Sequence, residues 1–253
     1  MNLKIVSNNV KDIIEELANS STGSRDKFRL IRYANNVRHL ELSAIFRDPD
    51  INLVLDVGAN EGQFANLIRK IGYSRDLISF EPIPETFARL KEKTVRDSLW
   101  SAFNYALGSS NTRQTFNIYS DSKLSSFLQG DGSHSTRFEN SFQIAKQIEV
   151  EVKRFDSVWS DIVNPGKVRQ IFLKLDTQGY DLEVFKGIGS GKNCIKFILT
   201  ELSVIPLYKN IPTFTEALDF YSNEGYGPLA LIPVTRNHSD GRVIEFDCLL
   251  RKI

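Results

Sequence analysis

The chain has 253 residues, of which 41% are apolar and 25% charged, and its formal net charge is +1. That length buries a sizeable core as one large domain or two small ones, and so balanced a charge excludes a global field that would gather nucleic acid or an anionic membrane. The opening "MNLKIVSNNVKDIIEELANS" carries acids early and has no unbroken apolar run, so it does not read as a secretory signal, and no stretch approaches the roughly 20 apolar residues of a membrane span.

Residues 3–20 and 25–47 predict helices; in the second, Phe28, Ile31, Val37, Leu40, Leu42 and Ile45 recur mostly at three- and four-residue steps. "DPD" at 48–50 breaks the pattern. Short apolar runs then alternate with helical stretches. Strands are predicted at 51–57, 77–82, 100–107 and 112–120, with helices at 62–72 and 84–97. Gly72 stops the first of these helices and Pro84 opens the second. Residues 120–147 are polar and serine-rich and read as an insertion, more loop than element. The alternation resumes with a strand at 169–176, a helix at 181–188, a strand at 196–202 and a helix at 214–225. Two strand-like runs, 226–236 and 242–252, flank the turn "NHSDG" and predict an antiparallel hairpin. Strands alternating with helices predict an α/β fold, a parallel sheet covered on both faces. The expected organisation is an N-terminal helical cap over 1–50 and one α/β domain over 51–253 that carries the insertion at about 120–147.

The stretch "VLDVGANEGQF", Val54 to Phe64, puts an aspartate and two glycines directly after a buried run. In open α/β sheets, ligands bind outside the carboxyl ends of the strands. Gly58 and Gly62 would let the backbone turn tightly and let a ligand approach the main chain. Free amides at the start of the next helix would favour a carboxylate or phosphate, and Asp56 would add an acceptor. Glu81 ends the second strand, 19 residues after Gly62, near the interval at which an acid meets ribose hydroxyls. A carboxylate there can accept both hydrogens of a diol. The turn is Gly58-Ala59-Asn60-Glu61-Gly62 rather than Gly-x-Gly-x-x-Gly. Asn60 with Asp56 suits a smaller cationic ligand with an amino-acid end, which points to S-adenosylmethionine over NAD. The plainer reading is that the two glycines only make a tight strand–helix turn.

The blocks "VLDVGANEGQFA", "SFEPIPETFARL", "NYALGSSN", "FLKLDTQGYDLEVFKG" and "ILTELSVIPLYKNIPTF" stand in the order and spacing of the FkbM family of methyltransferases, which the chain resembles over about residues 50 to 252. One departure is Gln178, where many members carry Glu; a subgroup with Asp-Thr-Gln-Gly-Tyr is the nearer match. The resemblance implies a class I methyltransferase (Rossmann-like) fold: a mostly parallel seven-stranded sheet with an antiparallel C-terminal hairpin and N-terminal helices. It implies S-adenosyl-L-methionine as cofactor and methylation of hydroxyl oxygens on sugars, glycolipids or natural products. Carried over by position, Asp56, Gly58, Ala59, Asn60 and Gly62 would hold the methionine half. Glu81, with Pro82 beside it, would hold the ribose, and Ala106 and Leu107 would border the adenine.

Asp176 ends the strand at 169–176 on the same rim. It is a candidate for the chemistry and for cofactor placement; the plainer reading is a helix cap. Lys174, on the same strand face, reads as an ion-pair partner or a snorkelling side chain. Glu201 is a second candidate catalytic carboxylate, set against a salt bridge to a neighbouring lysine. His238, in the hairpin turn, is one of few candidates for a base near neutral pH, set against a solvated turn residue. Asp247 reads as a structural acid, and His134 would reach a site only if the insertion folds over it. Phe127, Phe138, Phe142 and Tyr180 either wall a sugar or pin the insertion. No ligand spacing joins the cysteines and histidines, so no metal site is expected. Cys194 and Cys248 stand far apart, which fits a reducing, cytoplasmic setting. The expected partner is a small-molecule or glycan acceptor, with no nucleic acid. The N-terminal helices either cap the sheet or make a homodimer contact. Two rival functions remain: a nicotinamide-dependent oxidoreductase, against which the missing Gly-x-Gly-x-x-Gly counts, and a non-catalytic carbohydrate-binding or scaffold protein, against which Asp56, Asn60 and Glu81 count.

Overall fold

"INLVLDV" is apolar on both of its alternating faces, and such runs belong in the middle of a sheet covered on both sides. The computed structural model describes residues 24–131, 138, 141–237 and 241–253. The helix predicted at 3–20, His134 and His238 lie outside the described residues. Helix α1 (Ser24–Phe46) leads into β1 (Ile51–Val57), α2 (Gln63–Lys70), β2 (Asp76–Phe80), α3 (Pro84–Thr94) and β3 (Trp100–Phe103). Then come β4 (Ala106–Leu107), β5 (Thr112–Tyr119), β6 (Ile144–Lys153) and α4 (Phe155–Ile162). The described chain finishes with β7 (Gln170–Leu175), α5 (Asp181–Lys186), β8 (Ile195–Ser203), α6 (Phe214–Asn223), β9 (Tyr226–Arg236) and β10 (Val243–Lys252).

Among the described residues, the main sheet has seven strands in the order β3-β2-β1-β7-β8-β10-β9. The first five run parallel, and β10 runs antiparallel between β8 and β9. This is the class I methyltransferase fold, mostly parallel with a closing antiparallel hairpin. The chain winds outward in both directions from β1, so the switch point opens where β1 and β7 end. No helix among the described residues is long and apolar enough to cross a membrane.

Side-chain alternation divides the core into two layers. Leu53, Leu55 and Val57 face one way, with Leu173, Phe155, Val184 and Tyr221. Val54 faces the other, with Phe172, Ile68, Leu90 and the α1 residues Leu42, Ile45 and Phe46. The described N-terminal helix thus packs its apolar stripe on the sheet. Asp56 and Lys174 are register partners on β1 and β7. They share the face of Val54 and Phe172, the face that α1 covers.

Two expectations need correction. The single strand predicted at 100–107 is two strands. Trp100–Phe103 pairs with β2, while Ala106–Leu107 leaves to pair with β6 in a separate sheet ordered β4-β6-β5. Asn104 marks the break, with its amide nitrogen on the carbonyls of Glu81 and Pro82 at 2.9 and 3.1 Å. The stretch 120–147 is not loop throughout: from Ile144 it forms β6, antiparallel to β5, and Ser122–Leu124 forms a 3₁₀ turn. Ile148, Val150 and Val152 put their apolar side against Ala106, Phe116 and Ile83. The outer face of such a strand is polar, so composition alone disguised it.

Candidate active site

The turn after β1 is built from left-handed residues. Gly58, Asn60 and Gly62 have φ of +73°, +50° and +81°, values that glycine adopts freely and asparagine tolerates. A Cβ at Gly58 would lie 2.0 Å from the carbonyl oxygen of Asp176. The ends of β1 and β7 therefore meet only because no side chain stands there. At Gly62 a Cβ would meet the Trp100 ring at 2.6 Å, so its bareness serves the packing of α2.

The amides of this turn are already engaged. Gly58 N and Ala59 N donate to Phe80 O at 3.1 and 3.0 Å, and Gly62 N donates to Ala59 O at 2.8 Å. Asn60 N donates to Glu81 Oε2 at 2.9 Å, and Glu61 N to Asn60 Oδ1 at 2.7 Å. Donors for an anionic group must come from further along. Helix α2 starts with no side-chain cap, and Gln63 and Phe64 in its first turn line the cavity beside it.

That cavity, of about 520 Å³, runs along the carboxyl ends of β1, β2 and β7. Gly58, Ala59, Asn60, Glu81, Pro82, Ala106, Leu107, Asp176 and Glu201 all line it. Asp56 and Gly62 do not; they act one layer behind. His238 lies outside the described residues. Phe127, Phe138 and Tyr180 also reach the cavity, with the Phe127 ring 4.8 Å from Phe116 and 4.7 Å from Tyr180. Phe142 serves instead to pin the segment down, packed on Tyr119 at 5.3 Å and Tyr208 at 5.4 Å.

Glu81 is buried, and its two oxygens each take one backbone amide: Oε1 from Ile83 and Oε2 from Asn60, both at 2.9 Å. Each oxygen keeps a second lone pair for a ligand hydroxyl. Burial pushes the Glu81 carboxyl up to about 7, against the pull of the Ile83 and Asn60 amides and of Lys174. Donors from a bound diol favour the ionised form, so binding must first drive off a proton when the pH is below that value. Affinity for S-adenosylhomocysteine is therefore expected to fall as the pH drops from about 8 to about 6, by up to roughly tenfold per unit at the acid end. Calorimetry at several pH values checks this; a flat affinity would remove Glu81 from the ligand.

At the centre of the rim Lys174 is buried, and its ammonium reaches three oxygens. They are Gly58 O at 3.0 Å, Asp56 Oδ1 at 3.1 Å and Asp176 Oδ2 at 3.3 Å. Burial alone would lower the Lys174 pKa, but the carboxylates of Asp176 and Asp56 outweigh it and hold the ammonium charged. Asp56 is wholly buried, also receives Ser79 Oγ at 3.4 Å, and anchors Lys174 from behind. The Asp176 side chain is 45% exposed and is the carboxylate of this group that lines the cavity. It does not cap α5: the acid that organises this turn is buried Asp181, which takes Thr177 N at 2.9 Å and Thr200 Oγ1 at 2.7 Å.

Further along, Glu201 receives Gln178 Nε2 at 3.1 Å rather than a lysine. Asp247 stands opposite Glu201 in the sheet register and pairs with Arg38 of α1 at 2.6 Å. Burial raises Glu201 well above the usual carboxylate range, with Glu245, Asp176 and Asp247 adding to it. Burial also pushes Glu245 up to about 7 and Asp247 up to about 6, the latter against the opposing charge of Arg38. Among the described residues no group of three or more His, Cys, Asp and Glu is placed to hold a metal ion.

Sequence reasoning missed Arg38, Gln178 and Glu245 as site residues. Glu245 had a signal, since it lies two residues from Asp247 on one strand. Arg38 had none, because only the docking of α1 brings it to β10.

Comparison with known proteins follows this geometry. The family model described as the methyltransferase FkbM domain matches residues 56–228. The chain is 26% identical over 237 residues to 2-O-methyltransferase NoeI of Sinorhizobium fredii, covering 88% of this chain and 91% of that protein. It is 28% identical over 153 residues to hexuronic acid methyltransferase AglP of Haloferax volcanii, covering 60% of this chain and 56% of that protein. It is 22% identical over 180 residues to Methyltransferase 1 of Beauveria bassiana, covering 62% and 71% respectively.

Proposed function

The chain belongs to the FkbM methyltransferase family, and from that premise we propose that it transfers a methyl group from S-adenosylmethionine to a hydroxyl oxygen of a saccharide, glycolipid or natural product. The observation that carries the cofactor is Glu81. It is a buried carboxylate fixed by two amides, with lone pairs to spare, beside the apolar wall of Ala106 and Leu107. That donor and acceptor set suits a ribose diol with an adenine next to it. The methionine end would fall by Gly58, Asn60 and the first turn of α2. The relatives' names, a 2-O-methyltransferase and a hexuronic acid methyltransferase, support an oxygen and a sugar as the target.

When bound, the cofactor supplies an electron-poor methyl carbon on a sulfonium sulfur. The protein's share of the reaction is placement and proton handling. Asp176 Oδ1 and Oδ2 are anchored by Gln178 and Lys174, so the carboxylate is held still where the acceptor hydroxyl would enter. It would accept that hydroxyl's hydrogen and turn an oxygen lone pair toward the methyl carbon. Phe127, Phe138 and Tyr180 would close the far wall and exclude water.

Titration of S-adenosylhomocysteine and of NAD by calorimetry tests the reading. Roughly micromolar binding of the first and none of the second is expected. NAD binding with no response to S-adenosylhomocysteine would hand the site to a dehydrogenase. No binding of either would favour a carbohydrate-binding protein on the same fold.

A further inference from the structure

Residues 176–181 read Asp-Thr-Gln-Gly-Tyr-Asp, and the third of them is in an unusual state. Gln178 has φ of +53°, a left-handed value that costs a long side chain free energy and persists only where the surroundings enforce it. Its carbonyl oxygen is held by Ser126 Oγ at 2.7 Å. Its side-chain nitrogen donates to Asp176 Oδ1 at 3.0 Å and to Glu201 Oε2 at 3.1 Å. Its side-chain oxygen lies 2.9 Å from the hydroxyl of Tyr208.

The chemistry of these neighbours settles which way the amide points. The Asp176 carboxylate, ion-paired to Lys174, only accepts, so the amide nitrogen faces it and reaches Glu201 beside it, and the oxygen is left at the Tyr208 hydroxyl, whose one hydrogen it shares with Leu124 O at 2.8 Å. Both hydrogens of the nitrogen are then used, one on each carboxylate. Gln178, Asp176 and Glu201 all line the cavity. A buried or half-buried pair of acids repels itself unless a donor stands between them. Here the donor is neutral and supplies both bonds without adding charge.

We propose that Gln178 is a positioning residue of the acceptor site: its amide clamps Asp176 and Glu201 into one carboxylate pair that receives the acceptor's hydroxyl hydrogens. The acceptor in this statement rests on the methyl-transfer reading; the clamp does not.

Among the described residues, the charges acting on Gln178's partners and their neighbours come from β7, α5, β8, β10 and α1. Asp176 and Lys174 stand at the end of β7, Asp181 at the start of α5, and Glu201 on β8. Tyr208 lies in the loop after β8, and Glu245 and Asp247 are on β10, with Arg38 of α1 on Asp247. Among these described residues acids outnumber bases, so a carboxyl introduced by Gln178→Glu would have a folded-state pKa above its unfolded value. Such a group contributes stability that is fully present below the unfolded pKa and is lost as the pH rises through the folded one.

The test uses the full chain in three forms: wild type, Q178E and Q178L. Thermal unfolding is followed between about pH 5 and pH 8, with calorimetric titration of S-adenosylhomocysteine and labelled methyl transfer onto cell-extracted glycans. Q178E is expected to match wild type at the acid end and to melt progressively lower toward the alkaline end, with turnover falling over the same interval. Q178L is expected to lose at least about tenfold in turnover at every pH, with S-adenosylhomocysteine affinity within about threefold of wild type. Parallel unfolding curves for Q178E and wild type would overturn the clamp, and so would full turnover in Q178L. Should Q178L fail to fold, the Q178E curves decide alone. If none of the three binds S-adenosylhomocysteine while Q178E still melts lower at alkaline pH, methyl transfer falls and the clamp stands.

Discussion

Asp176→Asn is expected to remove most turnover, on the order of 10²–10⁴-fold, while cofactor affinity stays near wild type. Two neighbours fix this carboxylate, Lys174 at 3.3 Å and Gln178 at 3.0 Å. It remains 45% exposed at the middle of the rim, so it can meet an acceptor as well as its partners. Asparagine keeps the shape and loses the basicity. Its amide nitrogen must also face either the Lys174 ammonium or the Gln178 nitrogen, both of them donors. One hydrogen bond is therefore lost, at a cost of about 1–3 kcal/mol in stability. Turnover is to be expressed per folded molecule, and S-adenosylhomocysteine binding measured in parallel. Loss of stability with turnover per folded molecule intact would make Asp176 a structural acid.

Gly58→Ala is expected to be strongly destabilising. The added Cβ would lie 2.0 Å from the Asp176 carbonyl oxygen, and φ at this position is +73°. Left-handed alanine costs about 1 kcal/mol on its own, and overpacking against backbone adds about 1–3 kcal/mol more. A loss of about 2–4 kcal/mol in a domain of this size lowers Tm by roughly 4–16 °C. The ends of β1 and β7 must also part, so binding of S-adenosylhomocysteine should weaken with it. Gly225→Ala is the matched control, because φ there is +84° and nothing lies within 4 Å of the new Cβ. It carries the backbone strain without the collision. Equal Tm losses in the two variants would show that the close approach at Gly58 does not matter.

Periodicity was enough to read the strands and helices of the main sheet, because an apolar face repeats every two residues in a strand and every three or four in a helix, but it merged β3 with β4 and left β6 and α4 unread. The glycine turn, Glu81 and Asp176 were legible for a related reason: residues at the carboxyl ends of parallel strands must share one rim. Composition misled where a strand carried a polar outer face, as in β6, and where one apolar run served two sheets, as at 100–107. What each rim residue does was decided only by the tertiary structure. Asp56 and Asp176 look alike in sequence, yet one is buried under Lys174 and the other opens to the cavity. Arg38 reaches Asp247 because α1 docks on the sheet, a consequence of packing between distant segments that no local pattern encodes. The amides of Gly58–Gly62 turn inward to Phe80, Ala59, Asn60 and Glu81, and the direction of a hydrogen bond depends on where its partner's backbone lies. Gln178 bridges two acids for the same reason: its partners are brought within reach by β7 and β8 lying side by side.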